Sequence, residues 1–204
     1  MRNKLIARLA AGLLLAEAAL VLTSWILSAT MTGGVRSLLS DVGIRWFLGR
    51  FVEMMASPLL VWLVLLLIAF GCFLRSGLAH SLRCLPERRG ATNLNYRDRT
   101  ALRLVAVILV LYVIVILLLT VTPHAILLSA TGSLFPSPFS RAIVPLAAFG
   151  LSLVSVVYGV MSGRFTTLSD ILDSLSYGIR RGAPLFILYI LAVQFIESLL
   201  FVFG

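Results

Sequence analysis

Gln194 and Glu197 stand three residues apart inside an apolar run of a 204-residue chain, a spacing that puts both on one face of a helix. An amide and a carboxyl so placed can hydrogen-bond a polar solute or couple a proton to its movement. The same pair can equally clasp two helices together in lipid. Glu17 lies about two turns into another apolar run. An ionisable group at that depth costs about 2–3 kcal/mol on insertion scales and so faces protein or water. It reads either as a proton or ion site, or as a carboxyl held by helix contacts or by the nearby interface. Ser152, Ser155 and Tyr158 recur at helical spacing in a third run. They either line a solute pathway or let helices approach closely.

Other chemistries lack their residues. No Ser sits in a Gly-x-Ser-x-Gly setting, and no glycine-rich phosphate loop occurs. His80 and His124 have no Cys or carboxylate at metal-ligand spacing. Cys72, in an apolar run, and Cys84, in a basic loop, read as free thiols rather than a disulfide or a metal pair. The expectation is a protein that is not an enzyme, with no catalytic residues, no cofactor and no metal.

The elements that position these groups follow from composition. Hydrophobic residues make up 60% and charged residues 12% of the chain, with a mean hydropathy of +1.07. A soluble domain carries about 25% charged residues, so this chain has too little polar surface for water, and its first partner is the lipid bilayer. Five runs are long enough to span: Leu9–Met31, Ser57–Leu74, Leu102–Thr122, Arg141–Met161 and Ala183–Gly204. In hydrocarbon they must be helices, which alone satisfy their own backbone. The fold class is therefore all-α integral membrane, one transmembrane domain over residues 1–204. Glu17 interrupts the first run, which reads as a retained helix rather than a signal peptide.

Two shorter segments read as amphipathic helices. In Thr32–Ala56, Leu38, Leu39, Val42, Trp46 and Phe47 gather near one face. In Thr167–Arg181, Ile171, Leu175 and Ile179 recur every four residues. Thr167 and Asp170 suit a capping box, and Gly182 with Pro184 is expected to end that helix and begin the last span. Pro145 is expected to kink the fourth span. Pro123–Ser140, with its prolines and Gly132, reads as irregular.

The net charge is +9. With the N-terminus inside, Arg36, Arg45, Arg50 and Arg141 are the only ones of the 17 Lys and Arg that fall outside. That imbalance predicts N-in, C-out, with a basic cytoplasmic loop over residues 75–101. The basicity is then a topology signal, not a nucleic-acid surface, because no aromatics interleave with it. The loop's cations would also meet anionic headgroups.

Ordered motifs carry a resemblance. Arg75-Ser76-Gly77-Leu78 ends the second run. Gly132-Ser133-Leu134-Phe135-Pro136-Ser137-Pro138-Phe139 precedes Ile143-Val144-Pro145-Leu146, and Val157-Tyr158-Gly159 leaves the fourth run. A short acidic helix from Asp170 to Arg181, Ala183-Pro184 and Val193-Gln194-Phe195-Ile196 complete the series. In order and spacing, from about residue 36 to 204, this resembles the AbgT (p-aminobenzoyl-glutamate) transporter family.

The resemblance implies a secondary transporter in a bacterial inner (plasma) membrane. It would move p-aminobenzoyl-glutamate or related aromatic acids with ion coupling, with sulfonamide-type efflux as a variant. Two departures from the family pattern stand out. Gly77 is followed almost at once by Pro86-Glu87-Arg88-Arg89-Gly90, without the family's first re-entrant hairpin, and the second half with its partner hairpin is missing. The chain thus reads as a shortened form, acting as a homo-oligomer or with a partner membrane chain. The alternative is a non-transporting remnant or accessory scaffold subunit. The hairpin residues of the family's substrate site have no counterpart here. The pathway candidates are therefore Gln194, Glu197, Glu17, Ser155 and Tyr158.

Overall fold

The computed structural model describes residues 2–30, 34–84, 95–121 and 138–204. Among them are seven helices: α1 (Arg2–Ala29), α2 (Asp41–Met55), α3 (Pro58–Ser76), α4 (Leu78–Cys84), α5 (Tyr96–Val121), α6 (Pro138–Met161) and α7 (Leu168–Phe203). Five of these, α1, α3, α5, α6 and α7, are long and apolar enough to cross a membrane. Large apolar side chains such as Leu15, Val107, Leu111 and Phe149 are mostly exposed on them, as lipid-facing residues are. The irregular segment predicted at Pro123–Ser140, and the basic stretch around Arg88, lie largely outside the described residues.

Two boundaries differ from the sequence reading. The third span begins at Tyr96 rather than Leu102, so its first turns carry Asp98 and three arginines. The segment predicted as a separate amphipathic helix is the first part of α7, and Gly182 and Pro184 do not break it. Proline removes one backbone bond, to the carbonyl four residues earlier. Membrane helices tolerate that loss because neighbouring groups satisfy the freed carbonyl. At 36 residues, α7 measures about 54 Å, against about 30 Å of hydrocarbon. Its polar start therefore lies beyond the apolar layer. There the capping box forms: Asp170 N–H donates to Thr167 Oγ1 (3.2 Å), and the Thr167 and Thr166 N–H groups donate to Asp170 Oδ2 (2.9 and 3.0 Å). These donors, Thr167 first, hold the exposed Asp170 carboxyl down to about 2.

The chain divides into two compact units, Met1–Val61 with Gly182–Gly204, and Trp62–Arg181. In the first, Leu20, Leu38 and Val202 form a small core, with Phe195 and Leu199 packed against it. Ser40 caps α2 by accepting from Gly43 N–H at 3.1 Å, which places Leu38 and Leu39 in the turn before the helix rather than on it. Trp46 of α2 stacks on Phe201 with centroids 4.4 Å apart, while Val42, Leu48 and Val52 are exposed. Arg36 N–H donates to the Val202 carbonyl at 3.1 Å. Tyr189 pins the α2–α3 corner, donating to Met55 O at 3.3 Å and lying 2.6 Å from Ser57 Oγ.

In the second unit, α5 and α6 pair closely. Tyr112 O–H donates to the Leu146 carbonyl at 2.8 Å, and its ring covers Gly150, where a Cβ would strike it. Helices α3 and α7 cross backbone against backbone. A Cβ on Gly178 would overlap the Leu67 carbonyl, and one on Gly71 would overlap the Gly178 backbone. Cys72 Sγ and Ser174 Oγ meet at 3.4 Å beside this crossing. Small residues do this work because Leu side chains gain nothing by leaving lipid for protein. The buried face of α7 here is Ser174 and Gly178, while Ile171, Leu175 and Ile179 are only half-buried.

Gly178→Ala is expected to destabilise the protein by about 1–3 kcal/mol, the usual penalty for forcing atoms into a filled space. Gly49→Ala, in open space on α2, should be neutral or stabilising by up to about 1 kcal/mol. Thermal unfolding in detergent distinguishes them, and equal Tm values for the two variants would contradict the crossing.

Candidate functional site

Two buried polar clusters form, one in each unit. In the first, α1 supplies Glu17 and α7 supplies Gln194 and Ser198. Gln194 and Ser198 are four residues apart and share a helix face. Ser198 Oγ donates to Glu17 Oε1 at 2.7 Å, and Gln194 Nε2 donates to Ser198 Oγ at 3.4 Å. Ser198 is fully buried and Gln194 is 7% exposed. The result is a chain of amide, hydroxyl and carboxyl. Its two outer oxygens, Glu17 Oε2 and Gln194 Oε1, are buried and have no hydrogen-bond partner. Both are acceptors, and an acceptor buried without a donor costs about 1–3 kcal/mol. A proton on Glu17, a cation or a ligand N–H would relieve that cost.

The structure thus joins Glu17 and Gln194, which sequence spacing could not do across 177 positions. It adds Ser198, which sequence reasoning missed. The signal was present, since Ser198 lies four residues beyond Gln194, but a serine in a membrane helix reads as a packing residue. Glu197 is half-buried and makes no hydrogen bond or ion pair among the described residues. Its side chain stands outside the amide–hydroxyl–carboxyl chain.

In the second unit Tyr158 of α6 is fully buried. Its hydroxyl donates to Asp98 Oδ1 of α5 at 3.1 Å and lies 2.5 Å from Ser81 Oγ of α4. With the tyrosine proton committed to the carboxylate, Ser81 is the donor to Tyr158. This clasp joins three helices over a core of Leu78, Ala101, Val105 and Val154. Gly77, at φ 79°, makes the turn into α4, and the Arg164 guanidinium fills the space a side chain there would need. Neither Ser81 nor Asp98 was singled out from sequence, because their loops gave no register against α6. Ser155, one turn before Tyr158, is also fully buried, and its hydroxyl has no partner. Ser152 bonds its own helix, donating to the Ala148 carbonyl at 2.8 Å. Among the described residues, no three His, Cys, Asp or Glu side chains gather closely enough to hold a metal ion.

Comparison with known proteins places the chain. The model of the family described as "AbgT putative transporter family" matches residues 85–201. That stretch contains α5, α6, nearly all of α7, and with them Gln194, Ser198, Ser155, Tyr158 and Asp98. Glu17 and the Arg36–Leu78 segment lie outside it. No curated protein and no solved structure matches.

Tyr158→Phe strands both Ser81 and Asp98 and is expected to cost about 1–2 kcal/mol, at the upper end for hydrogen bonds between membrane helices. Ser155→Ala removes a hydroxyl with no partner and should leave Tm unchanged or slightly raised. A denaturation series in one detergent checks the pair, and a larger loss for Ser155→Ala would refute the assignment.

Proposed function

The chain belongs to the AbgT transporter family, a family of membrane transporters, and from that premise we propose that it moves p-aminobenzoyl-glutamate or a related aromatic acid across a bacterial inner membrane with ion coupling. Sulfonamide-type efflux is the variant of the same activity. The chain sits N-in, C-out, as its basic residues favour.

The observation that carries the ion-coupling part is the pair of unpartnered acceptor oxygens on Glu17 and Gln194, linked through Ser198. A carboxyl inside a membrane is costly and is kept where it handles charge. Here it handles a proton or a small cation. Ser198 holds one carboxylate oxygen, which orients the other toward the incoming charge. Glu197, one turn from Gln194 on α7, faces the solute path. Separately, within residues 62–181, Ser155 offers an unpartnered buried hydroxyl to a polar solute, and Tyr158, tied to Ser81 and Asp98, holds the helices around it. Sites of secondary transporters form between repeats near the membrane midplane, so a second copy or a partner membrane chain completes the substrate site.

Proteoliposomes holding only the purified chain test this reading. Labelled p-aminobenzoyl-glutamate is expected to move in response to a proton gradient. Glu17→Gln should abolish the gradient dependence while leaving gradient-independent exchange, and Gln194→Ala or Glu197→Ala should reduce both. No flux in folded, correctly oriented protein would sink stand-alone transport and leave a partner-dependent or scaffold role.

A further inference from the structure

Arg75, at the last turn of α3, follows directly on that helix's apolar run. It therefore stands at the edge of the hydrocarbon layer. On α7, Tyr177, Arg180 and Arg181 face it across an open cleft of about 430 Å³. The Arg75 and Arg181 guanidinium groups lie 5.8 and 5.9 Å from the centre of the Tyr177 ring, and Arg181 Nη1 donates to Tyr177 Oη at 2.7 Å. The aromatic ring thus organises two cations that would otherwise repel. Arg180 is different: it reaches back seven residues to Asp173 and pairs with its carboxylate at 2.7 Å.

Arg180 and Arg181 both lean toward the start of α7, as arginines near a membrane surface do to reach the polar layer. Among the described residues neither Arg75 nor Arg181 has a carboxylate partner. The cleft therefore carries two uncompensated positive charges at headgroup depth. Beside the α3 stripe of Gly71 and Arg75 runs a second stripe, Phe70 and Leu74, 58% and 44% exposed.

We propose that Arg75, Tyr177 and Arg181 form a binding site for the phosphate of an anionic phospholipid, with its acyl chains lying along Phe70 and Leu74. Guanidinium groups match phosphate oxygens in pairs of parallel hydrogen bonds, and the two arginines present such forks from two helices. The depth selects lipid over a soluble anion, because a free phosphate gains nothing from the apolar stripe. A lipid seated there ties the end of α3 to α7 just above their glycine crossing.

Native mass spectrometry of the full chain released from nonionic detergent, titrated separately with phosphatidylglycerol and phosphatidylcholine, tests the site. Phosphatidylglycerol is expected to be retained about thirtyfold better, in line with two basic residues at a membrane surface. Arg75→Gln/Arg181→Gln should bring it down to the phosphatidylcholine level, while Arg180→Gln, which removes only a paired charge, should not. Should the double variant fail to fold, the single Arg75→Gln is expected to show a partial loss of the same preference. Undiminished phosphatidylglycerol retention in either variant, or its displacement from the native protein by excess inorganic phosphate, would overturn the proposal.

Discussion

Hydrocarbon gives a helix nothing to bond with and no reason to associate. Every apolar side chain on these spans is as comfortable against lipid as against protein, so burial of leucines cannot hold the bundle together. What remains is close backbone approach and the few polar groups that lipid will not accept. Both are used here. Helices α3 and α7 meet at Gly71 and Gly178 with no side chain between them. Glu17 with Ser198, Tyr158 with Asp98, and Tyr189 with Met55 each bridge separate helices. The exposed Val and Leu surface of α5 is the complement of this economy: it meets lipid, while the face carrying Ala101, Val105, Tyr112 and Thr120 turns inward.

The same constraint makes it matter which buried polar groups are satisfied and which are not. Tyr158 satisfies its hydroxyl at both ends. Glu17 and Gln194 each keep one buried oxygen unmatched. In a medium that penalises an unpaired acceptor, these two oxygens are the feature on which the proposed ion coupling rests. Ser155, one turn from Tyr158, also keeps an unpartnered hydroxyl, so satisfied and unsatisfied groups stand side by side.

The membrane class and the presence of five spans were legible because hydropathy over about twenty residues is a strong signal, and the family was legible because the motifs kept their order, the match covering residues 85–201. Glu17, Gln194, Ser155 and Tyr158 could be chosen as polar groups at depth. Their partners could not. Ser198, Ser81 and Asp98 acquire meaning only from which helices adjoin, and helix adjacency in lipid is set by glycines and serines that carry little sequence signal. The stripe Ile171, Leu175, Ile179 looked like a packing face by the rules of water-soluble helices. In lipid the packing face is the small-residue one, Ser174 and Gly178. The Gly182–Pro184 break likewise assumed a proline penalty that membrane helices absorb.

The crossing at Gly178 also bears on how this sequence can change over time. A contact made by two backbones has no intermediate sizes: even alanine, the smallest step from glycine, carries the full cost of displacing the Leu67 carbonyl. Positions such as Val107 or Leu111 can drift among apolar residues without consequence. A change at position 178 must be met by a shift of the Leu67 carbonyl, so the two helices constrain one another's sequence at this point.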